Sequence, residues 1–190
     1  MYRWLRNTHL WLGMLAVLFL GMYGISSVQM AHSSWFAARP TVTESTVALE
    51  PGGANARAIA RVLMDRHGVR GEVRAVRDGG GKLAFRIVRP GTVYEVEYTA
   101  SSGQARIRTS RAGFIGMLNG IHHAGGLWHD YGLLNVWGVF VGLVSAGLIV
   151  LGATGIYLWF KIHSERRIGA ALLALSLGYG ITVMILLRTA

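Results

Sequence analysis

Three stretches of this 190-residue chain contain no Asp, Glu, Lys or Arg: Leu10 to Ala31, Gly132 to Phe160 and Ile168 to Leu187. They hold 22, 29 and 20 residues, and a helix needs about 20 residues to cross the hydrocarbon core of a bilayer. None carries the polar stripe of a helix that is half-buried in a water-soluble core. They predict three transmembrane helices. The first, preceded by Arg3 and Arg6, exceeds the apolar core of about 7–15 residues found in signal peptides and reads as a retained anchor.

The remaining residues are strongly basic. The chain is 52% hydrophobic and only 15% charged, yet its 19 Lys+Arg against 9 Asp+Glu give a net charge of +10. Grease and charge therefore occupy different segments, which disfavours a plain soluble domain or a disordered tail. The absence of cysteine excludes thiol nucleophiles, CxxC redox pairs, iron–sulfur clusters and covalently attached haem. Arg3 and Arg6 precede the first apolar run, and Lys161, Arg166 and Arg167 lie between the second and third. The positive-inside rule places both of these flanks in the cytoplasm. Residues 33–128 and the C-terminus then face outward. Ser33 to Trp128 holds 13 basic residues against 7 acidic ones, but loops this long are largely exempt from the rule. The expected organisation is a cytoplasmic start and first span over 1–32, a periplasmic insert over 33–128, a second span over 129–161, a cytoplasmic loop over 162–167, and a third span with periplasmic C-terminus over 168–190.

The insert reads as a small α+β domain. After the Glu50-Pro51-Gly52-Gly53 turn, Ala54 to His67 predicts a helix with Ile59, Val62 and Leu63 on one face and Gly68 as C-cap. Four alternating runs follow: Val73 to Val76, Lys82 to Val88, Thr92 to Tyr98 and Ala105 to Thr109. Gly79-Gly80-Gly81, Pro90-Gly91 and Ser101-Ser102-Gly103 separate them as hairpin turns. Gly113 to His122 predicts a second helix leading back to the membrane. A four-stranded antiparallel sheet covered on one face by helix is the expected packing. The arginines at 74, 77, 86, 106 and 108 alternate with apolar residues and predict a solvated sheet face, and an extracytoplasmic position argues against nucleic acid as a partner.

Three segments carry a family resemblance. Arg6-Asn-Thr-His-Leu-Trp-Leu-Gly13 resembles the first span of PepSY-associated transmembrane proteins. Tyr94 to Gln104 (YEVEYTASSGQ) resembles the strand–turn of the PepSY module, and Ala153-Thr-Gly-Ile-Tyr-Leu-Trp159 that family's Thr-Gly-x-x-x-Trp segment. Thr99 stands where the PepSY turn usually has an acid, so no role of that acid is carried over. The resemblance implies a three-span helical protein of the bacterial inner membrane with a PepSY-like periplasmic domain between helices 1 and 2. It also implies a distant likeness to larger siderophore-iron reductases that hold haem b between histidines.

That likeness directs attention to the histidines. His9 and His163 fall at the predicted inner face, and His32, His122, His123 and His129 at the outer face, while His67 belongs to the insert. His9, His32, His122, His123 and His129 are the candidate haem ligands, because a bis-histidine site needs imidazoles from different helices inside an apolar bundle. The competing reading is a set of interfacial helix-end residues. No metal site is expected, since adjacent histidines on a helix diverge by about 100°. Gly138 and Gly142 form a GxxxG pair, and with Gly147, Gly152 and Gly155 they predict close helix packing along the second span. No catalytic constellation is present: there is no HExxH, nucleophile elbow, phosphate loop or dinucleotide fingerprint. The leading expectation is a non-catalytic accessory or scaffold subunit of a larger membrane complex. The alternatives are a haem b electron-transfer protein related to ferric-siderophore reductases and a regulator of a periplasmic protease.

Overall fold

The computed structural model describes residues 2–36, 39–49, 55–161 and 166–189. These fall into two compact units, Met1–Leu18 with Val144–Ala190, and Phe19–Leu143. Helices α1 (Tyr2–Ala31), α4 (Gly132–Lys161) and α5 (Arg166–Thr189) are each long and apolar enough to cross a membrane. Helix α1 begins eight residues before its charge-free run, so Arg3, Arg6 and His9 lie on the helix itself.

In the first unit, glycines decide how near helices come. Leu12 of α1 lies against Gly147 of α4, where an added Cβ would sit 3.6 Å from its Cδ2, and the His9 ring lies against Gly155. Lipid gives apolar side chains no reason to avoid exposure, so such close backbone approach is what holds membrane helices together. Gly169 of α5 faces the Trp159 indole, yet none of the apolar window of α5 is buried. Arg166 donates to the Phe160 carbonyl at 2.7 Å, satisfying a backbone acceptor near the end of α4.

In the second unit, five antiparallel strands form a sheet in the order β1-β5-β4-β3-β2: β1 (Thr41–Ala48), β2 (Glu72–Gly79), β3 (Lys82–Arg89), β4 (Thr92–Thr99) and β5 (Gln104–Arg111). Strand β1 corrects the four-strand expectation. It has few apolar residues and lies almost wholly exposed, so it lacks the alternation that marks a strand locally. Its partner is β5, with Thr41 opposite Arg111 and Ala48 opposite Gln104. The hairpin turns follow the glycines. Gly80 and Gly81 both have positive φ, and Gly91 follows Pro90 with φ +75, the conformations that type I′ and type II turns require.

Helix α2 (Ala56–His67) covers one face of the sheet. Asn55 caps its start by accepting from the Ala58 amide at 2.9 Å, and Gly68 closes it in the left-handed conformation. Ile59, Ala60 and Leu63 pack on Phe85, Ile87, Val96, Tyr98 and Ile107, which alternate with outward residues along their strands. The opposite face is a charge ladder. Arg86 pairs with Glu95 at 2.9 Å and Arg106 with Glu44 at 2.6 Å. Several of the insert's arginines are thus matched on its surface, where such pairs contribute little to stability.

Candidate functional site

Two histidines meet hydroxyl groups on other helices, one in each unit. In the first unit, His9 Nδ1 of α1 lies 3.0 Å from Thr154 Oγ1 of α4. The Thr154 hydroxyl itself donates to the Val150 carbonyl at 2.8 Å and lies 3.1 Å from that of Leu151. A hydroxyl has one proton and two lone pairs. With the proton engaged by its own helix, Thr154 Oγ1 accepts the proton on His9 Nδ1. A neutral imidazole so placed is the Nδ1–H tautomer, whose lone pair is on Nε2. Gly155 gives the ring its space, since a Cβ there would sit 3.2 Å from His9 Cε1.

The second unit repeats the device with different elements. His122 lies in the last turn of α3 (Phe114–His122), and its Nδ1 is 2.7 Å from Ser26 Oγ of α1. Ser26 is buried, and its hydroxyl donates to the Met22 carbonyl at 2.9 Å, with that of Tyr23 at 3.1 Å. By the same proton count a neutral His122 carries its proton on Nδ1. Tyr23, one helical turn from Ser26, packs its ring on the imidazole with centroids 4.3 Å apart.

The other candidates differ. His32 stacks on Trp35 with ring planes 8° apart, outside the helical part of α1. His123 is the exposed C-cap of α3. Both ring nitrogens of His129 face acceptors, Nδ1 the Glu72 carboxylate at 3.3 Å and Nε2 the Gly125 carbonyl at 3.1 Å. Both ring nitrogens of His129 are thus engaged within the fold, and neither is left to hold a ligand. His163 lies outside the described residues. Among the described residues no cluster of three or more His, Asp or Glu is placed to hold a metal ion.

His129 serves as a clamp. Its backbone amide donates to Asn135 Oδ1 at 2.7 Å, and Asn135 Nδ2 returns a bond to the His129 carbonyl at 2.9 Å. Trp137 Nε1 donates to the Ala124 carbonyl at 3.0 Å. The segment between α3 and α4 is thereby tied to the first turns of α4 and, through Glu72, to β2. Burial pushes the Glu72 carboxyl up, but hydrogen bonds and charge from Arg74 and His129 outweigh it and hold it below the ordinary value. A carboxylate whose folded-state value is depressed stabilises the fold above its ordinary value and loses that contribution as pH falls through the folded one. The protection factors of residues 124–131 against hydrogen exchange, each taken relative to the intrinsic rate at that pH, are therefore expected to fall below pH 4.5, the ordinary carboxylate value. Glu72→Gln should raise exchange at neutral pH, by a loss of roughly 1–3 kcal/mol, and flatten the acid dependence.

Ser26 and Thr154 are the site residues that the sequence reading missed, although Thr154 and Gly155 belong to the Thr-Gly-x-x-x-Trp segment. The structure gives that segment a physical meaning: it meets the His9 of the first-span motif and supplies the hydroxyl and the space its ring needs. A histidine whose outer nitrogen donates to a neighbouring oxygen is the usual state of an imidazole that ligates iron. The donor sets of His9 and His122 fit haem on that ground.

Three membrane-length helices and a five-stranded insert together define a membrane protein with a small extramembrane domain. A sequence profile of the PepSY_TM-like family matches residues 1–189, and the chain belongs to that family. No curated protein and no solved structure matches it.

Proposed function

We propose that this PepSY-type membrane protein is an electron-transfer protein in which His9 and His122 would each help to hold haem b, at two separate sites. The observation that carries the reading is the repeated His–hydroxyl pair, in which Thr154 and Ser26 each engage Nδ1, so that Nε2 is the nitrogen left for a ligand. When bound, haem b supplies one-electron chemistry. The chain's own part is positional. Thr154 and Ser26 set tautomer and ring direction, Gly155 keeps space beside His9, and Tyr23 covers one face of His122. The basic flanks Arg3, Arg6, Lys161, Arg166 and Arg167 support a bacterial inner-membrane orientation with the N-terminus cytoplasmic and residues 33–128 periplasmic. In that orientation His122 belongs to the periplasmic end, where a ferric complex is the class of electron acceptor the family resemblance suggests. The test is the absorption spectrum of protein purified from haem-sufficient cells. A Soret band is expected, and its absence rejects the reading.

A second reading, an accessory subunit of a larger membrane complex, draws on α5, whose apolar window has no buried residue. Gly178 on that helix has no atom within 4 Å of an added Cβ, which leaves room for another helix backbone. It predicts a stoichiometric partner that survives gentle detergent extraction and is lost in Gly178→Leu. A monodisperse monomer from native membranes counts against it.

A further inference from the structure

The second unit contains a cavity of about 470 Å³ between the β3–β4 turn, α3 and the start of α4. Its charged lining is entirely cationic or imidazole: Arg74, Arg89, His123 and His129, with no carboxylate among the lining residues. Glu72 stands behind this wall, shared by Arg74 at 2.8 Å and His129 at 3.3 Å. One carboxylate thus answers two basic groups, and among the described residues Arg89 has no acidic partner. Its Nε is buried without a hydrogen-bond partner, as is Asn119 Oδ1 of α3. Buried polar atoms are nearly always paired in folded proteins, so an orphaned guanidinium donor and an orphaned amide acceptor beside one cavity describe an unmet demand. An anion with an adjacent O–H or N–H donor meets both.

We infer that this cavity binds a phosphate ester, with Arg89 as the principal donor to the phosphate and Asn119 accepting from a hydroxyl or ammonium group beside it. The guanidinium fork suits phosphate oxygens, and the volume exceeds the needs of a lone carboxylate. Leu134, on the first turn of the membrane-length helix α4, lines the same cavity, so a phospholipid headgroup is one source of this chemistry and a soluble phosphate ester the other. The inference stands whether or not haem is bound.

The full chain in maltoside micelles, examined by native mass spectrometry, tests it with dioctanoyl phosphatidylglycerol, dioctanoyl phosphatidylcholine and glycerol 3-phosphate. Phosphatidylglycerol should be retained about tenfold more tightly than phosphatidylcholine, whose choline has no donor for Asn119. Arg89→Gln should weaken retention about tenfold or more, while Arg77→Gln, an exposed arginine away from the cavity, should leave it unchanged. Competition by glycerol 3-phosphate assigns the site to soluble esters, and retention of lipid without that competition assigns it to headgroups. Failure of both ligands to bind overturns the inference, as does equal weakening by Arg77→Gln. If Arg89→Gln does not fold, Asn119→Leu replaces it, and an unchanged preference for phosphatidylglycerol over phosphatidylcholine there also overturns the proposal.

Discussion

Gly138→Val is expected to lower the melting temperature of the protein more than any other single substitution in α4. A Cβ at Gly138 runs into the carbonyl of Gly126 and comes within 3.3 Å of Leu127 Cδ2. The obstructing atom is backbone, in a segment already held to α4 by the Asn135 and Trp137 hydrogen bonds, and Gly126 has φ +94, which restricts its freedom to move aside. Overpacking a well-filled site costs about 1–3 kcal/mol and sometimes more. The upper end of that range corresponds to a drop of roughly 6–12 °C in a chain of this length. Gly142→Val is the internal control, since nothing lies within 4 Å of its added Cβ, and it should change stability by no more than about 0.5 kcal/mol. Thermal unfolding of both variants in the same detergent decides the matter. Equal melting temperatures would show that the 124–128 segment does not press on α4 in solution.

The second large effect is expected at the histidines. His9→Ala and His122→Ala should each lose part of the bound haem, because each removes an imidazole whose Nδ1 is engaged by a helix-bound hydroxyl and whose Nε2 is the nitrogen left for a ligand. Ser26→Ala and Thr154→Val discriminate ligation from helix gluing. A hydroxyl that only ties helices together would, when removed, lower stability and leave the spectrum of remaining haem unaltered. A hydroxyl that orients a ligand should, when removed, cost about 10–100-fold in affinity and shift the absorption bands. Gly155→Leu should act like Thr154→Val on the His9 site, by displacing the ring rather than by removing its acceptor.

Much of this architecture was legible in the residues because its signals are local. The three spans are runs without charge, α2 ends where Gly68 allows a left-handed turn, and the hairpins bend where Gly80, Gly81 and Gly91 take positive φ. Strand β1 was not legible. Thr41 to Ala48 offers little apolar alternation, and its definition comes from β5, some sixty residues later in the chain. The site divides the same way. Histidines near span ends are conspicuous in an apolar chain, but their partners are hydroxyls 145 and 96 residues away, and a lone Ser or Thr in a membrane helix carries no mark of a tertiary bond. The sequence also cannot separate His129 from His122. Only the fold brings Glu72 and the Gly125 carbonyl to the former and Ser26 to the latter. The GxxxG pair shows the limit of motif reading most plainly: Gly138 accommodates a loop carbonyl rather than a helix, and Gly142 faces no atom at all within 4 Å.

The haem-to-protein ratio of the wild-type chain, measured beside that of the His9→Ala/His122→Ala double variant after identical expression and purification, tests the central claim most directly. The account predicts bound haem b in the wild type and none in a double variant that remains folded and monodisperse. A wild type without haem, or a double variant that keeps its full complement, would contradict it.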